Sequence, residues 1–86
     1  MENITKTITV LVKLVKDKTG KEFFTYHMVG DGGRLVDLRW EKDTDLRELN
    51  DCKKARVTVD YLSDASYRFE FPRFYAGRIA AIEKLY

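Results

Sequence analysis

With 86 residues, 44% of them hydrophobic and 35% charged, the chain is sized for a single globular domain, 1–86, with a thin core. An aromatic content of 13% argues against disorder, and a net charge of +2 excludes a strong global field. The charge is unevenly spread: residues 1–30 hold five lysines against three acids, 31–51 four basic against seven acidic groups, and 52–86 seven basic against four acidic.

In chain order, KTITVLVKLVK (6–16) is rich in β-branched residues and reads as a long strand. Ile8, Val10, Val12 and Leu14 share one face of it. Asp17 to Gly20 form a turn, and Glu22 to Val29 a second strand. The apolar set Phe24, Tyr26 and Met28 is the expected core face, leaving Phe23 outward with Thr25 and His27. GDGG (30–33) is a turn, and RLVDLRW (34–40) alternates, with Val36, Leu38 and Trp40 inward. These three strands read as an antiparallel meander.

EKDTDLRELND (41–51) breaks the alternation. Asp45 with Glu48 resembles a capping box, and Leu46 and Leu49 sit at helical spacing, so a short helix is expected. KARVTVDYL (54–62) alternates again, with Ala55, Val57, Val59 and Tyr61 inward. SDAS (63–66) reads as a turn and YRFEF (67–71) as a strand, with Pro72 marking its end. RFYAGRIAAIEKLY (73–86) fits either a helix or a strand bulged at Gly77; strand is the favoured reading.

Three strands, a short helix and two or three further strands give a mainly β fold, a small five-stranded OB-like barrel with the helix between strands three and four. Closure would bring the two basic ends of the chain together. An SH3-like barrel and an α+β sheet ending in a helix stay open as alternatives. The lysine-bearing first strand, the turn KDKTGKEF (16–23), the aromatic second strand, the glycine-rich turn and the late aromatic-basic stretch together resemble the small OB-fold single-stranded DNA-binding proteins of bacteriophages. The resemblance implies a role in DNA replication or recombination beside host or phage replication proteins. The acidic C-terminal tail frequent in those proteins is replaced here by IEKLY, so its recruiting role does not carry over.

Catalysis has little support. One histidine and one cysteine, Cys52, supply neither a zinc set nor a disulfide, and no cofactor or metal is expected. GDGG lacks the spacing of a dinucleotide fingerprint, and TGKE (19–22) lacks most of a P-loop. Asp43 and Asp45 lack the rest of a calcium loop. A lone cysteine fits a cytoplasmic setting, no segment reads as a leader or membrane span, and an open strand edge would allow a homodimer.

Binding of single-stranded DNA or RNA calls for rings on which bases stack and cations that follow the backbone. The candidates are Lys16, Lys18 and Lys21 in the first loop, Phe24 and Tyr26 (or else Phe23 and His27) on strand two, Arg39 on strand three with Trp40 as an option, and Arg68, Arg73, Phe74 and Tyr75 in the late segment. Eleven aromatics are many for so thin a core, which points to some of them lying outside it. The alternative is a protein-binding module, an inhibitor or adaptor of a host protein, that uses the same aromatic and arginine surface.

Overall fold

The computed structural model describes residues 6–65 and 72–86. The fold is mainly β. Among the described residues seven strands, β1 (Lys6–Lys16), β2 (Glu22–Val29), β3 (Leu35–Trp40), β4 (Lys54–Val59), β5 (Leu62–Asp64), β6 (Arg73–Ala76) and β7 (Ile79–Lys84), form one sheet in the order β5-β6-β3-β2-β1-β4-β7. The sheet is curled and open, a half-barrel. A four-residue helix, α1 (Arg47–Asn50), lies between β3 and β4 as expected.

The β1–β2–β3 meander is antiparallel, with Val10 opposite Met28 and Met28 opposite Val36. The other edge of β1 pairs antiparallel with β4, Val10 facing Ala55. β6 runs parallel to β3, and β7 runs antiparallel to β4. Only Gly77 and Arg78 separate β6 from β7, so one stretch of chain reaches both β3 and β4.

The inward set follows from alternation. Val10, Val12, Met28, Val36, Leu38, Ala55, Val57 and Val59 are buried, joined by Leu49 from α1 and by Ala76. Trp40, Tyr26 and Phe74 are half-buried and pack against this core. The segment left between helix and strand is extended, since β7 covers Ile79–Lys84.

Where five strands were expected, the described residues alone form seven, for two local reasons. Leu62–Asp64, read in part as a turn, pairs with β6 as a short edge strand. The last strand is broken at Gly77, whose backbone lies so close to Asp60 and the Tyr61 ring that a Cβ would overlap both. Tyr61, expected inward, is exposed. The register of β4 shifts between Thr58 and Val59 and the strand ends there, so the alternation that would have buried Tyr61 is lost. The capping box is also absent. α1 starts after Leu46 with no side-chain cap, and the Asp45 carboxylate instead accepts from the Arg47 backbone N–H at 3.1 Å and its guanidinium at 2.8 Å. That pairing, led by the Arg47 side chain, holds the Asp45 carboxyl at about 2. The strand expected at 67–71, and Arg68 with it, lie outside the described residues.

Candidate nucleic-acid interface

β1 and β2 are longer than the strands that flank them. β4 pairs with β1 only from Lys6 to Leu11, and β3 pairs with β2 only from His27 to Val29. The Val12 N–H still donates to the Lys53 carbonyl at 2.9 Å. Beyond it, Lys13–Lys16 and Glu22–Thr25 pair only with each other among the described residues. The result is a two-stranded arm, about 13 Å long at the usual rise per residue. The molecule measures 45 × 30 × 29 Å.

A ribbon with no sheet on either side has no buried face. Its apolar residues stay exposed whichever way they point, and this accounts for the adjacent rings of β2. Phe24 and its cross-strand partner Leu14 share one face, and Phe23 and its partner Val15 share the other. Phe23 is 42% exposed and Phe24 40%, and Leu14 and Val15 are exposed too. Parity assigns Phe24 and Leu14 to the core side, but the core ends before it reaches them.

The arm is tipped with cations. Lys16, Lys18 and Lys21 are exposed around a turn organised by Asp17. The Asp17 carboxylate accepts from the Thr19 hydroxyl at 2.6 Å, the Thr19 N–H at 2.9 Å and the Lys21 N–H at 3.0 Å. The Thr19 hydroxyl foremost, with the backbone donors adding to it, holds the carboxyl below the usual value while desolvation opposes them. Gly20 takes φ +87, a conformation that side chains rarely adopt. Lys13 adds a fourth exposed cation along the arm.

Where β2 outruns its pairing with β3, the two strands part and leave a groove of about 390 Å³. Phe23, Phe24, Tyr26 and Trp40 line it, with Arg39 and, from the turn after β3, Glu41, Asp43 and Thr44. The Tyr26 and Trp40 rings meet edge to face, 5.8 Å apart at 83°. The Tyr26 hydroxyl donates to Asn50 Oδ1, which ties the base of the arm to α1. Trp40 Nε1 is buried without a hydrogen-bond partner among the described residues. On another side of the arm a second groove, about 920 Å³, runs past Leu14 and Phe24 to Lys53 and Tyr86. The Lys54 ammonium stands 5.5 Å from the Tyr86 ring centre.

The remaining sequence candidates divide. Arg39 and Arg73 both turn to Asp37, whose Oδ2 accepts from Arg73 Nε at 2.7 Å and Arg39 Nε at 3.2 Å. Arg39 stays largely exposed and Arg73 does not. Phe74 packs against the core, opposite Leu38, and half-buried Tyr75 lies beside Arg39 on the next strand. The arm thus unites Lys16, Lys18, Lys21 and Phe24, with Tyr26 at its base. Arg39, Arg73 and Tyr75 form a patch on β3 and β6. Sequence reasoning offered Phe23 only as an alternative to Phe24 and did not place Leu14, Val15 and Lys13 in the site, because nothing local marks where a neighbouring strand stops.

His27 is half-buried beside Thr25, with 3.2 Å between Thr25 Oγ1 and His27 Nε2. Desolvation first, and then Lys13, push its pKa below 6.5, with Asp37 opposing.

No family model, curated protein or solved structure matches the chain significantly. No helix among the described residues is long and apolar enough to cross a membrane, and those residues hold no cluster of three or more potential metal-ligating side chains.

Proposed function

We propose that the chain binds single-stranded nucleic acid with little sequence preference, through rings on which bases stack and lysines that neutralise phosphates. One observation carries the reading: an arm with Phe23 and Phe24 half out of water on opposite faces, set among Lys13, Lys16, Lys18 and Lys21. Rings and cations on one projecting element are what a flexible, base-exposing polyanion requires. The topology supports the same reading. A meander, a helix, a fourth strand on β1 and a last segment running parallel to β3 suit an OB-like barrel whose fifth strand is split at Gly77. OB-folds bind oligonucleotides on strands two and three with the loop between strands one and two as a wall, and this groove has that position. Such a protein would protect or present single strands during replication or recombination.

A second reading has its own support. Leu14 is 56% exposed, and an aliphatic side chain offers no stacking plane, whereas a protein partner would bury it. Fluorescence anisotropy with labelled oligo(dT) over a salt series separates the two. Single-strand binding weakens with a slope near −0.7 in log K per phosphate contacted, on log salt. No binding of oligo(dT) at low salt would remove the nucleic-acid reading and leave the protein-binding one.

A further inference from the structure

We propose that the groove between β2 and β3 is a guanine-preferring base site within an otherwise sequence-tolerant interface; the inference rests on the single-strand reading above. The groove suits a flat aromatic occupant. Four rings line it, and its volume of about 390 Å³ lies within the range of small-ligand sites. Its rim carries three carboxylates, Asp37, Glu41 and Asp43. Asp37 is engaged by Arg39 and Arg73. Glu41 and Asp43 are exposed and form no ion pair among the described residues.

An ionised carboxylate only accepts hydrogen bonds, and it accepts best from two adjacent N–H donors. Among the common bases only guanine presents such a pair, N1–H and the N2 amine. Its O6, an acceptor, lies on the same edge. Adenine and cytosine offer an amine alone, and thymine a single N–H. A cationic peptide side chain would also be drawn to carboxylates between rings. Arg39 on the groove and the lysines of the adjoining arm disfavour that occupant while they attract a polyanion.

The turn bearing the acids is firmly held. The Glu41 N–H donates to the Ala76 carbonyl at 3.0 Å, and the Glu41 carbonyl accepts from the Thr44 N–H at 3.2 Å. Asp43 sits at φ +67, where asparagine is well tolerated. Asp43→Asn and Glu41→Gln therefore remove charge without reshaping the groove.

The test compares labelled dT oligomers of equal length that carry one central dG, one central deoxyinosine (N1–H kept, N2 amine lost) or neither. The wild-type chain binds the dG oligomer on the order of tenfold more tightly than all-dT, with deoxyinosine between them. In the E41Q/D43N double variant the dG-to-dT ratio falls towards one, while all-dT binding persists with its salt slope. Quenching of the lone tryptophan, Trp40, tracks the dG advantage. Equal binding of all three oligomers by the wild-type chain overturns the guanine site and leaves the single-strand reading standing. A dG preference unchanged in the double variant overturns the assignment to these carboxylates. An arginine-bearing peptide that quenches Trp40 while no oligomer does so gives the groove to a cationic side chain and overturns the proposal. Failure to bind any oligomer at low salt removes the reading beneath it.

Discussion

Phe23 and Phe24 are the residues whose removal most directly separates binding from folding. A little over half of each residue is buried, at 42% and 40% exposure. Full burial of a phenylalanine contributes about 1.5–3 kcal/mol, so truncation of either ring to alanine should cost about 1–1.5 kcal/mol of stability. For a domain of this size that lowers Tm by roughly 4–12 °C and leaves the protein folded at room temperature. Loss of one stacked base costs roughly 1–3 kcal/mol, an affinity drop of about five- to 150-fold. The assay is oligo(dT) anisotropy beside a circular-dichroism melt for Phe23→Ala, Phe24→Ala and Leu14→Ala. Leu14 shares a face with Phe24 but has no plane on which to stack, so Leu14→Ala should bind like wild type. Phe74→Ala should instead lose more stability, because that ring packs on the core. Folded F23A and F24A variants with undiminished affinity for oligo(dT) would refute the stacking argument. A loss shared equally by Leu14→Ala would point to a protein-type contact surface.

Replacement of Lys16, Lys18 and Lys21 by glutamine should lower the magnitude of the log K–log salt slope by about 2 if each meets one phosphate, with the melt nearly unmoved. A slope equal to wild type would take the arm tip out of the interface. His27 holds its proton less well folded than unfolded, so stability is fully present above pH 6.5 and falls as pH drops through the lower folded value. His27→Gln should flatten that part of a Tm-against-pH curve, and parallel curves for the two proteins would count against the shift. Gly77→Ala should lower Tm by about 4–24 °C, since overpacking costs about 1–3 kcal/mol. The Cβ meets Asp60 Oδ1, which the Arg78 N–H holds at 2.8 Å, and an unchanged melt would mean that the backbone there moves aside freely.

Alternation made the interior of β1 to β4 legible. Val10, Val36, Leu38, Val57 and Val59 are buried where period two places them, and the short helix falls where the alternation breaks. Parity failed at strand ends, because it names a face without saying whether anything covers it. Leu14, Phe24 and Tyr61 all carry inward parity and all lie exposed, the first two on the arm and the last beyond the end of β4. The extra strands were illegible for a related reason. Whether Leu62–Asp64 pairs, and where 73–86 breaks, depends on what lies across from them in space. The lysines of the arm were legible as a basic turn. Their neighbourhood with Phe23 and the groove became visible only through the register of β3 against β2.

One stretch of chain, residues 73–84, follows both β3 and β4 in sequence and pairs with each in turn. Until residues 73–84 emerge, β3 lacks its parallel neighbour and β4 its antiparallel one, leaving two rows of backbone amides and carbonyls ready to pair with another chain. A ribosome-stalled or C-terminally clipped product would therefore be the sticky species in a cell. Expression yield should respond more to what is fused or deleted after Ala76 than to changes in the loops between the early strands.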